Sequence, residues 1–411
     1  MRSQIEGSQA VAAAVALCRP EVISAYPISP QTHIVEALSD LVRRGELEPC
    51  EYLMVESEFG AMSAAIGASA VGARAYTATA SQGILYMAEA LYNASGLGLP
   101  IVMTVANRAI GSPINIWNDH SDAMSQRDSG WIQLYAASNQ EAVDLHVQAF
   151  RLAEEVSLPV MVCMDGFVLT HAFEPVDLPT QEQVDAFLPR FEPRQVLDPA
   201  APVTIGAMVG PEAFAEVKVL MHVKQMQALD VIGEISGEFA QAFGRGSGGL
   251  VRQYRSADAE TIVVALGSVL GTIQDAVDEL RDEGVSVGAV GITCFRPWPL
   301  AEVRAALGHA RRVVVLEKAF AVGLGGIVAQ NVRLALEGLP ARVHDVVGGL
   351  GGRPITRASV RRLLGDVLED RLDPGALTFL DLDWGLVQRE LERPSGPHAE
   401  NILRDLAAGP R

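Results

Sequence analysis

The chain has 411 residues, 49% apolar and 20% charged, enough for roughly two or three domains with sizeable cores. Its formal net charge of −18 is spread without acidic blocks and disfavours nucleic acid or an anionic membrane as a partner. No apolar stretch approaches the ~18–20 residues of a membrane span, and nothing at the N-terminus reads as an export signal. Cys18, Cys50, Cys163 and Cys294 are scattered without a CxxC pair. That spacing excludes a locally ligated iron–sulfur cluster or zinc ribbon, and points to a reducing cytoplasm.

Over residues 1–172 short apolar runs alternate with helical patterns. The runs Glu21–Ala25, Glu51–Val55, Ala73–Ala78, Pro100–Val105 and Pro159–Met164 read as strands. Between them, Ser8–Leu17, Gln31–Arg43, Phe59–Val71, Ile84–Ser95 and Asn139–Glu155 read as helices. Residues 173–208, rich in Pro, Glu and Gln, read as a linker, and Pro211–Ala242 as one or two amphipathic helices. A second alternating unit begins at Thr261–Ala265. It continues through Val285–Val290 and Arg312–Leu316 to a charged C-terminal helix. The expected fold class is α/β, with two doubly wound parallel-sheet domains. The expected division is 1–172, a linker and helical segment over 173–255, and 256–411 with a tail. In such a sheet every carboxyl strand end faces one edge, so Ser29, Glu58, Thr79, Ser81, Arg108 and Asp165 are expected to be neighbours where ligands bind.

The most informative segment is the loop NRAIGSPINIWNDHSDAMSQRDSGW, residues 107–131, with two Arg, three Asp, one His, three Asn and two Trp. A compact domain joins strand to helix with a few residues, and a longer structured loop is usually functional. Arg108, just past a buried strand, is a candidate bidentate clamp for a carboxylate, against the plainer reading of a surface ion pair. Asn118-Asp119-His120-Ser121-Asp122 reads as an internally hydrogen-bonded loop rather than a metal cluster. Glu56-Ser57-Glu58 opens a helix, with Ser57 a plausible cap. A carboxylate there serves the helix dipole or, if buried, moves a proton. Thr77–Gly83 is a hydroxyl-rich strand end suited to an anion, and Tyr26-Pro27-Ile28-Ser29-Pro30 is a rigid turn presenting Ser29. Gly323–Gly326 lacks the spacing of a nucleotide loop and reads as a helix start. There is no GDG followed by Asn, so a diphosphate–magnesium site would need another chain.

The stretches AYPISPQT, ESEFGAMSAAIGASAVGARAYTATASQG, ANRAIGSPINIWNDHSD and QRDSGWIQLYAASNQEA closely resemble the alpha subunits of the 2-oxoacid:ferredoxin oxidoreductase family. FRPWPL, VVVLEK, GLGGRPIT and DLDWGLVQREL extend the resemblance more loosely over nearly the whole chain. It implies that the first domain binds the aminopyrimidine of thiamine diphosphate, a cofactor shared with a beta subunit, and that the second resembles the transketolase C-terminal domain. Mg2+ and [4Fe-4S] clusters would lie on partner subunits, with no metal on this chain. Gamma and delta subunits and ferredoxin would be further partners.

By the same resemblance, Glu58 matches the glutamate facing N1′ of the pyrimidine, favouring the tautomer whose N4′ takes the C2 proton. Pro27 and Ile28 join it in binding the cofactor. Arg108 matches the arginine that pairs with the substrate carboxylate. Ser29 stands where threonine is usual and binds substrate through its hydroxyl. The implied reaction is oxidative decarboxylation of pyruvate with coenzyme A, giving acetyl-CoA, CO2 and reduced ferredoxin. The same chemistry on 2-oxobutyrate, a branched-chain oxoacid or oxalate is an alternative, and so is a non-catalytic structural subunit.

Overall fold

The computed structural model describes residues 2–394, 396 and 398–408. The first eight strands are β1 (Arg2–Glu6), β2 (Val22–Ala25), β3 (Glu51–Met54), β4 (Ala75–Thr79), β5 (Val102–Asn107), β6 (Ile132–Tyr135), β7 (Val160–Asp165) and β8 (Phe173–Asp177). The second half adds β9 (Val251–Tyr254), β10 (Thr261–Ala265), β11 (Val287–Ile292), β12 (Cys294–Arg296), β13 (Arg312–Glu317), β14 (Arg342–Val347) and β15 (Leu377–Phe379). They form a sheet ordered β12-β6-β7-β5-β4-β2-β3, a sheet ordered β15-β14-β13-β10-β11-β9, and the ribbon β1-β8.

The expected alternation of strand and helix is present in both units, and their central strands pair in parallel. Central strands such as β5, β7 and β11 are buried along their whole length. Buried parallel strands read as unbroken apolar runs, which is why the sequence shows them. The edges differ from expectation. The antiparallel strands β9 and β12 are short, and their pattern carries little signal. β12 belongs to the second half of the chain yet pairs with β6 of the first sheet, tying the two units together.

The stretch read as a linker is also more ordered than expected. Its start, β8, pairs antiparallel with β1, and Gln181–Phe187 is a helix with Thr180 in a capping box. The following amphipathic stretch is one unbroken helix, Phe214–Phe243. It buries Ala228, Ile232, Ile235 and Phe239 in the core of the first unit.

Each sheet has a point where chain progression reverses. In the first, β2 pairs with β3 on one side and β4 on the other; in the second, β10 pairs with β11 and β13. Strand-end loops diverge at such a point and leave a crevice, the usual ligand position in open α/β sheets.

Candidate active site at the first switch point

At the β2–β4 crevice, the turn after β2 is pinned by the buried Gln31. Its amide donates to Tyr26 O at 3.0 Å and to Ala78 O at 2.9 Å, fixing the turn against the end of β4. Pro27 and Ile28 lie half-buried in that turn, and Ser29 is exposed at its tip.

Glu58 opens the helix Glu58–Ala70, whose cap Ser57 accepts from the Gly60 N–H at 3.1 Å. Small residues along this helix allow it to lie close on the sheet, and Ser24 Oγ donates to Ala61 O at 2.7 Å. Two glutamates near the cap have different fates: Glu56 is exposed and Glu58 is only 8% exposed. Among the described residues the Glu58 carboxylate has no hydrogen-bond or ion-pair partner. A buried carboxylate lacking a donor is costly, so such groups mark places where a ligand supplies one. Thr79 beside it is similar, with a buried hydroxyl that lacks a partner. Gly83 completes this corner. A Cβ there would sit 2.4 Å from Thr79 Oγ1 and 2.8 Å from Glu58 Oε1, so only glycine leaves the space.

The loop after β5 supplies Arg108, itself 7% exposed. Its Nε donates to Asn115 O at 2.9 Å and its Nη1 to Ser29 O at 2.9 Å, so Arg108 and Ser29 are brought into direct contact. Both bonds go to neutral carbonyls, and no carboxylate of the described residues pairs with the guanidinium. Burial lowers its pKa, with Asp122 opposing. A guanidinium oriented by carbonyls and still lacking its anion is suited to a carboxylate ligand. The turn after β4, whose Thr79 and Gly83 lie beside Glu58, meets the Arg108 loop where Gln82 lies against Gly111.

The NDHSD segment is indeed internally bonded, and its bonds reach further than a local loop. Asp122 accepts Asn107 Nδ2 and the Ala123 N–H through Oδ1, each at 2.8 Å. Through Oδ2 it accepts the Ser81 and Arg108 N–H groups, each at 2.9 Å. The hydroxyl-rich TASQG turn therefore does bind a carboxylate by a backbone N–H, but the carboxylate is the chain's own. Burial pushes Asp122 up to about 6 in spite of these four donors.

Asp119, His120 and Asn115 connect instead to the second unit. Asp119 Oδ2 accepts the Gly351 N–H at 3.0 Å, and Asn115 Nδ2 donates to Gly351 O at 3.2 Å. The His120 N–H donates to Lys318 O at 2.9 Å. His120 Nε2 lies 2.7 Å from Asp165 Oδ1. Asp165, at the end of β7, enters the second switch point, where its Oδ2 meets Lys318 Nζ at 3.3 Å and accepts from the Ser268 N–H at 3.0 Å and from Ser268 Oγ. Burial would raise Asp165, but Lys318, His120 and the Ser268 hydroxyl together hold it well below the usual carboxylate range. Asp165 lies at the expected edge, opposite Asn107 and next to Arg108 in the register, and its carboxylate serves the junction of the units. Lys318 and Ser268 go beyond the expected site residues, although each lies two residues past an apolar run at a strand end.

In the second unit the GLGG segment is a helix start, as expected from its spacing. Glu317 accepts the N–H groups of Ile327, Val328 and Ala329 at 2.8–3.0 Å, so that helix terminus carries its own anion. Away from the crevice, Glu6, His33 and His171 each bring a ligand atom within 4.8 Å of the others. The His33 and His171 rings lie tilted with centroids 4.6 Å apart, Glu6 bonds His33 at 2.7 Å and Thr170 Oγ1 bonds His171 at 2.8 Å, so the group is satisfied as it stands.

A family profile described as pyruvate flavodoxin/ferredoxin oxidoreductase, thiamine diphosphate-binding, matches residues 13–236, and one described as pyruvate:ferredoxin oxidoreductase core domain II matches 259–360. The chain is 49% identical over 366 residues to pyruvate synthase subunit PorA of Methanosarcina barkeri, covering 88% of this chain and 91% of that one. It is 38% identical to ketoisovalerate oxidoreductase subunit VorA of Pyrococcus abyssi over 370 residues, covering 89% and 93%. Among solved structures, 2-oxoglutarate:ferredoxin oxidoreductase from Magnetococcus marinus is similar with TM-score 0.67 at 20% identity, covering 89% of this chain and 65% of that chain. A split-gene transketolase is similar with TM-score 0.54 at 14% identity, covering 89% of this chain and 99% of that one. These two likenesses concern the fold.

Proposed function

Because this chain belongs to the pyruvate:ferredoxin oxidoreductase family, we propose that it is the alpha-type subunit of a thiamine-diphosphate-dependent 2-oxoacid:ferredoxin oxidoreductase acting on pyruvate. The observation that carries the reading is the presence, in one crevice, of a buried carboxylate, Glu58, and a buried guanidinium, Arg108, that find no donor and no anion among the described residues. A scaffold protein needs neither, and leaving both unpaired costs stability.

The corner formed by Glu58, Thr79 and Gly83 fits a flat heteroaromatic ring that brings its own N–H donor. There Glu58 would hold the proton on the ring nitrogen, with Pro27 and Ile28 in the neighbouring turn as further contacts. Thiamine diphosphate, when bound, supplies the nucleophilic carbon and the electron sink for decarboxylation. Arg108 binds and orients the substrate carboxylate, and the exposed Ser29 hydroxyl offers a second hydrogen bond. Pyruvate, coenzyme A and oxidised ferredoxin are the reactants, and acetyl-CoA, CO2 and reduced ferredoxin the products. A beta subunit would contribute the diphosphate–Mg2+ site and a [4Fe-4S] cluster, with gamma and delta subunits completing a cytoplasmic enzyme. No helix among the described residues is long and apolar enough to cross a membrane.

Identity to a pyruvate synthase subunit exceeds that to a ketoisovalerate oxidoreductase subunit, which favours pyruvate over a branched-chain oxoacid. The test is to co-express the chain with its beta partner and follow dye reduction with coenzyme A and a panel of 2-oxoacids. Pyruvate should have the highest kcat/KM. Inactivity on every oxoacid, with thiamine bound and clusters intact, would overturn the enzyme reading. A preference for 2-oxoisovalerate would transfer it to the branched-chain alternative.

A further inference from the structure

The loop that orients Arg108 is tied to the second unit. One of the two carbonyls that fix its guanidinium is Asn115 O, at 2.9 Å. The Asn115 side chain is in turn held on both sides. Its Oδ1 accepts the Trp117 N–H at 2.7 Å, and its Nδ2 donates to Gly351 O at 3.2 Å. Gly351 belongs to the turn Gly348–Arg353, which follows β14 in the second sheet. The same glycine donates its N–H to Asp119 Oδ2 at 3.0 Å. Asp119 Oδ1 closes the far end of the loop by accepting the Ser121 N–H at 3.0 Å. Both polar groups of one peptide residue therefore grip the Arg108 loop from outside the first unit.

The fit is tight as well as polar. At Gly352, with φ +81°, a Cβ would lie 2.3 Å from Trp117 Cβ, so the turn can approach the loop only as glycine. Trp117 also rests on Phe167, with ring centroids 5.0 Å apart. The loop is thus pressed between the second unit's turn and the segment after β7.

We propose that Asn115, clipped to Gly351, is a positioning residue for substrate binding, and that the second unit's glycine turn sets the angle at which Arg108 meets the substrate carboxylate. The proposal rests on the reading of Arg108 as the carboxylate clamp. Without the clip, Asn115 O is free to move and the guanidinium loses one of two fixed contacts. Misplacement of a clamp by about 1 Å is enough to cost up to 100-fold in rate at subsaturating substrate. The Glu58 corner, held by Gln31 and Ser57, does not depend on the clip.

The test uses the assembled enzyme with Asn115→Ala, Gly352→Ala, the double variant and Arg108→Ala. Asn115→Ala and Gly352→Ala should each raise KM for pyruvate roughly 10-fold, with kcat within about two-fold and thiamine diphosphate affinity unchanged. The double variant should be no worse than the weaker single, because both cut one relay. If Asn115→Ala fails to assemble, Gly352→Ala alone still decides. Unchanged KM in the single variants, alongside a raised KM in Arg108→Ala, overturns the positioning proposal and leaves the clamp standing. Unchanged KM in Arg108→Ala overturns the clamp, and the positioning role with it. Strictly additive effects, or a fall in kcat and melting temperature with KM unmoved, assign Asn115 a merely structural role and also overturn the proposal.

Discussion

The two sheets present the same crevice at the same topological point, and the chain treats the two differently. Between β2 and β4 the polar groups are left short of partners among the described residues: the Glu58 carboxylate lacks a donor, the Thr79 hydroxyl lacks a partner, and Arg108 lacks an anion. Between β10 and β13 the ligand position is filled from within. Asp165 arrives from the first unit and is bound by Ser268, Lys318 and His120, while Glu317 caps the adjacent helix with three N–H bonds. A switch point is therefore a geometric opportunity and not by itself a site. What separates them is whether the polar groups at the strand ends are satisfied by the chain. The filled crevice has a different use, as the joint through which the second unit holds the Arg108 loop.

If that contrast is right, variants in the two crevices should fail in opposite ways. The largest effect belongs to Glu58→Gln, which keeps shape and removes the proton-holding carboxylate. Turnover should fall by roughly 10²–10⁴-fold, with little change in melting temperature, and Glu56→Gln should be silent in both measurements. A silent Glu58→Gln with an inactive Glu56→Gln would move the site to the exposed glutamate. Next is Asp165→Ala in the filled crevice. It strands a buried Lys318 and His120 without their carboxylate, and should cost about 3–5 kcal/mol in chemical denaturation of the full chain. A loss below about 1 kcal/mol would mean that the second switch point is not held by this ion. Arg108→Ala should come third. Losing a charge-assisted pair of about 1.5–3 kcal/mol corresponds to a 10- to 100-fold rise in KM for the oxoacid. Thiamine diphosphate affinity should stay as it was; the reverse pattern would show that Arg108 serves the cofactor.

The sequence shows the central strands, the helices between them and the single edge on which Ser29, Glu58 and Arg108 gather. Each of these follows from local signals: unbroken apolar runs, caps and the length of one loop. It does not show the strands whose partners lie far along the chain. β12 lies about 160 residues from β6 in sequence, and nothing in CFR announces that pairing. The same limit hid the roles of Asp165 and Gly351. Their partners Lys318, Ser268, Asn115 and Asp119 are set by how the two units dock, which no local periodicity encodes. The cluster NDHSD was legible as a bonded loop because Asp, Asn and Ser bond nearby backbone. That Asp119 and His120 also bond Gly351 and Lys318 of the other unit was not.

The smallest expected effect concerns Glu317, and it probes the contrast from the filled side. Burial pushes its carboxyl up to about 7, against three N–H donors, with Asp345 close by adding to the rise. The folded state therefore binds this proton more tightly than the unfolded chain, where the group titrates near its ordinary 4.5. Stability from this group is fully present below about pH 4.5 and is lost as pH rises through about 7. Glu317→Gln cannot titrate, so the difference in unfolding free energy between the parent chain and the variant should shrink or reverse across that window, by an amount on the order of 1–2 kcal/mol. Asp165 titrates far below this range and cancels in the comparison, since it is common to both chains. Urea unfolding of the two chains at intervals from pH 5 to 8 measures that difference directly. A flat difference would mean that the three N–H donors keep Glu317 ionised throughout. Turnover of the assembled Glu317→Gln enzyme should match the parent at every pH, because this carboxylate already has its partners inside the chain and Glu58 does not.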